Sequence, residues 1–198
     1  MIIRTLSLFA VLLLLGGCYV PAKFQADLNI DESGKFAFRY NGNILAVTLL
    51  RKLSFGEVTK ENLAENAAIY ERDLARDSGF RKIEHLEGAM FGVEFDRQGD
   101  ILKEKTFSFV RSNALFLAMK RRRDGLIEVF GSRPPKNLVD ALIDYGFDVR
   151  GVFRIWTNAK VISHNAPQSR EDSSPKVYQW NIKSMRDTPP ELILEPKP

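Results

Sequence analysis

One side chain stands out for its chemistry: Cys18, the only cysteine of the 198-residue sequence. It follows Leu15-Gly16-Gly17, at the end of an apolar run from Leu6 to Leu15 that lies behind the basic Arg4. A basic start, a short apolar core and small residues before a processing point are the parts of an export signal. A single thiol excludes an intramolecular disulfide but is available for covalent modification. We therefore predict that residues 1–17 form a signal peptide and that Cys18 begins the mature chain. The alternatives are an ordinary secretory signal with an incidental cysteine and an uncleaved anchor helix.

A second chemical feature is a cluster of four adjacent cations, Lys120, Arg121, Arg122 and Arg123, which stands before Asp124-Gly125. Contact with anionic lipid head groups is one function of such a cluster, at roughly 1 kcal/mol per residue near a membrane. The alternative is a gatekeeper role, in which the charges keep the apolar segment Ala114 to Met119 soluble and its edge unpaired. We expect the gatekeeper role.

Residues suited to hydrolysis are sparse. His85 and His164 are the only imidazoles, and the sequence has neither a Gly-x-Ser-x-Gly nor a His-Glu-x-x-His motif, nor a glycine-rich phosphate loop. The carboxylate pairs Glu94 with Asp96 and Asp140 with Asp144 are typical of surface charge unless they converge in a cleft. We predict a non-enzymatic protein without metal or cofactor. The alternative is a periplasmic hydrolase that uses an unrecognised carboxylate or histidine site.

Composition agrees with a globular domain, since 44% of the residues are hydrophobic and 27% are charged. The formal charge of +4 becomes +3 when removal of the leader takes away Arg4, which is too small to imply a nucleic-acid partner. After the leader no apolar run approaches the ~20 residues needed to cross a bilayer. We therefore expect a soluble domain from about Phe24 onward.

The elements that position these residues begin with a hairpin. From Phe24 to Ile30 apolar residues alternate with polar ones, Asp31-Glu32-Ser33-Gly34 has turn chemistry, and Phe36, Phe38 and Tyr40 resume the alternation. The pattern predicts two antiparallel strands. Residues 18–23 are then a short lipidated tether of at most about 17 Å, and residues 24–198 form one domain with a proline-rich C-terminal tail.

Two helices and a series of strands are predicted beyond the hairpin, whereas the stretch from Ile44 to Phe55 fits either type of element. The first helix begins after an N-cap at Thr59 and stops at Gly79, and the second opens at Pro134-Pro135 and stops at Gly146. A polar loop runs from His164 to Pro175. Strands are predicted at 80–86, 89–95, 105–110, 114–119, 126–130, 147–157, 160–163, 177–182 and 192–194, with a turn at 97–100. We expect an α+β fold, with an antiparallel sheet of about eight or more strands covered on one face by the two helices.

Two resemblances follow from these motifs. Leu15-Gly16-Gly17-Cys18 resembles the lipobox of bacterial lipoproteins, which implies a diacylglycerol on the Cys18 thiol and cleavage just before it. The order of lipobox, Asp31-to-Gly34 turn, helix, meander and the late strand Val177-Tyr178-Gln179-Trp180-Asn181 resembles the LppM-like bacterial lipoproteins. That resemblance implies a lipid-anchored α+β domain with a binding role toward envelope lipids.

The predicted function is therefore that of a lipid-anchored envelope lipoprotein, held to the membrane at Cys18, that binds an envelope lipid or a protein partner. Two or three acyl chains anchor firmly, because each buried CH₂ contributes about 0.8 kcal/mol. Tyr19 stands where an aspartate favours retention at the inner membrane. We therefore expect outer-membrane localisation, facing the periplasm, in a Gram-negative host.

Overall fold

The computed structural model describes residues 19–110 and 117–197, and the strands of these residues form two sheets. The first sheet has seven strands in the order β10-β11-β8-β1-β2-β4-β3 and the second has five in the order β5-β6-β7-β12-β9. The strands are β1 (Tyr19–Ile30), β2 (Lys35–Ala46), β3 (Phe80–His85), β4 (Met90–Asp100), β5 (Thr106–Phe109), β6 (Leu117–Arg121), β7 (Ile127–Phe130), β8 (Arg150–Thr157), β9 (Lys160–His164), β10 (Gln168–Arg170), β11 (Lys176–Ile182) and β12 (Glu191–Glu195).

An aromatic layer joins the two sheets. The predicted alternation is confirmed in β2, where Phe36, Phe38 and Tyr40 point inward and are almost completely buried. Their rings meet the β5 aromatics, with centroids 5.0 Å apart for Phe36 and Phe107 and 4.3 Å apart for Tyr40 and Phe109. Each sheet thus buries its apolar face against the other, as two half-buried sheets must.

The α+β class predicted from the sequence is confirmed, but the strands are divided between two sheets rather than joined in one. Much of the inner face that we expected the helices to cover is covered by the five-stranded sheet. One pairing is also parallel: β1 lies beside β8 from Lys23 with Arg150 to Ile30 with Thr157. This contact joins segments more than a hundred residues apart, which no local pattern reveals.

The helices are α1 (Val47–Ser54), α2 (Leu63–Leu74), the single turn α3 (Ile101–Glu104) and α4 (Lys136–Asp144). The α4 prediction is confirmed, because the helix begins after Pro135 and ends before Gly146. The predicted N-cap of α2 at Thr59 is wrong. The helix begins after Asn62, whose side-chain oxygen instead accepts a hydrogen bond from the Thr59 amide at 2.8 Å.

Other boundaries differ for local reasons. The predicted turn at 97–100 is the end of β4, and Asp100 there caps α3 by accepting hydrogen bonds from the amides of Leu102 and Lys103. The ambiguous stretch divides into the end of β2 and α1. The polar loop contains the short strand β10. Of the predicted strand from Ala114 to Met119, residues 114–116 lie outside the described residues.

No helix in the described part of the chain is both long and apolar enough to span a membrane.

Candidate functional site

The two ends of the seven-stranded sheet differ in character, and the first residues of β1 mark one of them. At the Tyr19 end β1, β4 and β8 begin, and β2, β3 and β11 end. At the opposite Asp31 end, the turn from Asp31 to Gly34 joins β1 to β2. The twelve residues of β1 separate the two ends by roughly 36 Å at about 3.3 Å per residue.

The predicted tether at residues 18–23 is wrong for the residues that the structure describes, because β1 begins at Tyr19. Tyr19 and Val20 are each only 4% exposed, and the backbone of Tyr19 lies opposite that of Ala46 in β2. The sequence pattern concealed this pairing. A bulge between Pro21 and Phe24 shifts the register, so the first three residues do not continue the alternation that starts at Phe24.

A glycine on β2 makes the bulge possible. Gly42 has a φ of 154°, and a Cβ atom at this position would lie 2.2 Å from the carbonyl oxygen of Lys23. No other residue type allows the two backbones to approach so closely. The chain therefore enters the sheet directly behind position 18. Cys18 itself and residues 1–17 lie outside the described residues, so the lipidation of Cys18 and the signal peptide stay predictions.

An apolar cleft of about 60 Å³ opens at the Tyr19 end. The amide of Met185 donates to Asp148 Oδ1 at 2.8 Å, and Arg133 Nη2 donates to the carbonyl oxygen of Asp187 at 3.1 Å, which fixes the walls. The volume suits a short apolar group rather than a whole ligand, whose pockets are typically about 300–1,000 Å³. Its apolar lining is Val20, Pro21, Pro134, Val149, Ile182, Met185, Pro189 and Pro190.

The basic cluster from Lys120 to Arg123 lies at the Asp31 end, away from Tyr19. Arg121 Nη1 donates to the carbonyl oxygen of Leu102 at 3.4 Å, and the Leu102 side chain packs beside Gly34 in the β1–β2 turn. The cluster is thus separated from the predicted lipid by about the length of β1. This position favours the gatekeeper role over contact with the membrane that would hold Cys18.

Ion pairs within the β6–β7 hairpin engage two of these cations. Lys120 Nζ lies 3.2 Å from Glu128 and 4.7 Å from the centre of the Phe130 ring, and Arg122 pairs with Asp124 at 2.9 Å. Strand β6 lies between β5 and β7, so protection of a sheet edge is not needed there. The part of the gatekeeper role that remains is to place charge beside the apolar strand β6.

His164 has both ring nitrogens engaged. Nδ1 accepts a hydrogen bond from the amide of Ala166 at 3.1 Å, so the proton of the neutral ring lies on Nε2, 3.3 Å from Glu171. The ring edge also contacts Tyr178, with centroids 4.7 Å apart. A general base needs a free nitrogen directed at a nucleophile. The geometry of His164 is that of a structural residue.

His85 is also held by local contacts. Its Nε2 lies 3.0 Å from the carbonyl oxygen of Gly88, which can only accept, so Nε2 carries the proton. The ring packs on Phe91 at 5.3 Å, and Glu71 accepts a hydrogen bond from the His85 backbone amide. These contacts fasten the β3–β4 hairpin to α2. No serine or threonine hydroxyl bonds to either histidine in the described part of the chain.

The carboxylate pairs do not form an acid–base pair. Hydrogen bonds, first from Lys136 and second in size from Arg186, lower the pKa of Asp140, whereas a general acid needs a raised pKa. Asp96 lies on the outer face of β4 and is 3.6 Å from Arg39 Nε. Across residues 19–110 and 117–197, no three histidine, cysteine or acidic side chains are grouped so as to hold a metal ion.

The sequence did not reveal a row of alternating charges on the outer face of the large sheet. Arg154 on β8 donates two hydrogen bonds to Asp27 on β1, at 2.7 and 3.1 Å. Asp27 lies opposite Arg39 in the register of β2, and Arg39 lies opposite Asp96. Cross-strand pairs of opposite charge stabilise a sheet face that is open to solvent. A row of this kind becomes visible only when the strand order is known.

Together, the fold and the Tyr19 end define a two-sheet α+β domain whose N-terminal strand lies inside the larger sheet. Compared with solved structures, the chain is similar to the NMR structure of the folded domain of the Mycobacterium tuberculosis LppM protein. The alignment covers 91% of this chain and 93% of that one, with 11% identity and a TM-score of 0.48. The match confirms the resemblance to LppM noted in the sequence. No protein-family model matches the sequence, and no curated protein matches it.

Proposed function

We propose that this chain is a lipid-anchored protein of the bacterial cell envelope, lipidated on Cys18, that binds an envelope lipid or a protein partner and catalyses no reaction. The observation that carries the proposal is the start of β1 at Tyr19, directly after the cysteine of the lipobox-like segment. A diacylglycerol on Cys18 would join the membrane to the sheet without a flexible linker. The domain would then be held against the bilayer surface.

The residues that the hydrolase alternative requires are engaged in structural contacts, and this supports a non-catalytic role. The ring of His164 is engaged at both nitrogens, and Nε2 of His85 is engaged by a carbonyl oxygen. Asp140 is paired with two cations. No observation favours the hydrolase, and the binding role is the proposal that we carry forward.

The partner surface is the open outer face of the large sheet, where Arg154, Asp27 and Arg39 are exposed or half-buried. A polar, charged face of this kind suits a protein surface or a polar head group rather than acyl chains. Purification of the intact protein from native membranes, followed by mass spectrometry of the lipids and proteins that copurify, would identify the partner. In a Gram-negative host we propose that the membrane is the outer membrane, because Tyr19 follows the cysteine.

The anchor is tested by metabolic labelling with a fatty-acid analogue. We expect the native chain to take up the label and the Cys18→Ser variant to take up none and to keep its leader. Gly17→Ala is the matched control, because it keeps a small residue before the cysteine and should be labelled like the native chain. Label retained by Cys18→Ser would refute the proposed anchor.

A further inference from the structure

The exposed apolar side chains of the described residues are unevenly distributed over the surface. Five large hydrophobic residues are well exposed: Phe55 at 73%, Tyr145 at 64%, Ile69 at 51%, Ile162 at 47% and Leu86 at 45%. A single exposed apolar residue needs no explanation, but several at one place mark a contact surface. Their positions in the fold therefore decide whether they have a common purpose.

Backbone hydrogen bonds place Leu86 at the Tyr19 end. It follows the last residue of β3, and its amide donates to the carbonyl oxygen of Met90, the first residue of β4, at 3.0 Å. The neighbouring Ala89 accepts a hydrogen bond from the amide of Ala46, which lies opposite Tyr19. The β3–β4 hairpin that carries Leu86 is thus beside the entry point of the chain.

Phe55 and Ile69 lie near the same end. Helix α1 starts directly after Ala46, and its eight residues rise about 1.5 Å each, so Phe55 is within about 14 Å of this end of the sheet. That distance is less than half the length of β1. Ile69 on α2 lines a surface depression together with Tyr19 and Thr48.

Tyr145 also belongs to the Tyr19 end. It follows the last residue of α4, and Val149, four positions later, lines the apolar cleft together with Val20 and Pro21. Ile162 is the exception, since it lies on β9 in the other sheet. Four of the five exposed apolar side chains are therefore on elements that lie near the Tyr19 end of the sheet.

The Asp31 end is different, because polar contacts close it. Glu32 receives a hydrogen bond on its carbonyl oxygen from the amide of Lys197, and its own amide donates to Asn158. Asp31 accepts hydrogen bonds from Ser33 and from the amide of Lys35. The domain is thus apolar at one end of β1 and polar at the other.

We propose that the Tyr19 end is a membrane-contact surface, in which Phe55, Leu86 and Tyr145 enter the interfacial region of the bilayer. The partner follows from where the described chain starts: the residues that precede it contain the apolar run from Leu6 to Leu15 and the cysteine of the lipobox-like segment. The membrane meets the domain at this end in both cases, whether the apolar run stays attached or is replaced by a lipid on Cys18. The inference rests on the membrane anchoring proposed above and adds the orientation of the domain.

Aromatic and apolar side chains, rather than charge, provide this contact. Phenylalanine, leucine and tyrosine partition into the interface, where tyrosine keeps its hydroxyl hydrated. Two cations near this end are paired with acids: Arg51 lies 3.3 Å from Glu57, and Arg186 lies 2.9 Å from Asp140. Because apolar side chains provide the contact, we expect it to depend little on salt, unlike the binding of a polybasic segment.

Environment-sensitive labels on the full-length chain in bilayers test the orientation. Cysteine is introduced at Phe55, Leu86 or Tyr145 and labelled with a nitrobenzoxadiazole dye, and the parent chain gives the background from Cys18. The matched control is Ile162→Cys on β9, an apolar residue whose exposure is close to that of Leu86. All four side chains are exposed, so the substitutions leave the core unchanged.

We expect dye emission at positions 55, 86 and 145 to shift to shorter wavelength and to be quenched by doxyl-labelled lipid, at low and high salt alike. The dye at position 162 should report water. Equal quenching at all four positions, or hydrated dyes at the three positions on membrane-bound protein, would overturn the orientation alone. A shift without lipid quenching would indicate a protein at this surface and also overturn it. Protein that does not sediment with membranes would overturn the proposed anchor as well.

Discussion

Substitution of Tyr19 tests whether the chain enters the sheet directly behind Cys18. The side chain is 4% exposed and its backbone pairs with Ala46. Truncation of a buried aromatic residue to alanine costs about 3–5 kcal/mol in lost transfer free energy and cavity formation. For a chain of this size each kcal/mol lowers Tm by roughly 2–4 °C, so Tyr19→Ala should lower Tm by about 10 °C. If residues 18–23 were a tether, the substitution would change stability by less than about 0.5 kcal/mol.

The measurement uses a chain that begins at residue 18 with Cys18→Ser, so that no lipid is present. Urea unfolding is followed by the fluorescence of Trp156 and Trp180, and the free energy of unfolding is compared between variants. Lys23→Ala is the control, because Lys23 is exposed on the same strand and should have almost no effect. Equal stability of the Tyr19 and Lys23 variants would refute the pairing of the first β1 residues.

Other substitutions test separate parts of the structure. Replacing all four residues from Lys120 through Arg123 by glutamine should leave binding to anionic vesicles unchanged at two salt concentrations but hasten aggregation, measured by light scattering. Salt-sensitive binding by the native domain that is lost in this variant would contradict the gatekeeper role. Tyr178→Phe should raise the free energy of unfolding by about 1–3 kcal/mol, since among the described residues its buried hydroxyl has no hydrogen-bond partner; lower stability in urea would count against it. Burial raises the pKa of Tyr19 and Tyr40 above the ordinary 10.0. The unfolded chain therefore loses these protons first, so the stability that these groups contribute is complete below about pH 10 and should fall as the pH rises above it. When the free energy of unfolding is measured against pH, this fall should be less steep in Tyr19→Phe than in the native chain. Identical slopes would exclude a contribution from Tyr19.

Features determined by neighbouring residues were predictable from the sequence. The hairpin followed from the alternation after Phe24 and from Asp31, whose carboxylate indeed accepts hydrogen bonds within the turn. Helix α4 followed from Pro135 and Gly146, because proline suits a helix start and glycine its end. In both cases the relevant interactions span only a few residues, and a sequence pattern contains them completely.

Features determined by distant pairing were not predictable. The parallel contact of β1 with β8, including the ion pair between Asp27 and Arg154, joins residues separated by 127 positions. The bulge opposite Gly42 hid the first residues of β1, because it interrupts the alternation that identifies a strand. In the sequence, Phe55 was only the last residue of the ambiguous stretch, and Tyr145 only the residue before the predicted helix stop at Gly146. Their shared location required the three-dimensional strand order.

The location of β1 has a mechanical consequence. The strand lies between β8 and β2 rather than at an edge, and its first residue, Tyr19, directly follows Cys18 in the sequence. A force applied through an anchor at Cys18 would act parallel to β1 and across the hydrogen bonds on both of its sides, which run transverse to the strand. Such a load is shared by many bonds at once instead of opening them one after another. A domain attached in this way resists being pulled apart by its own anchor.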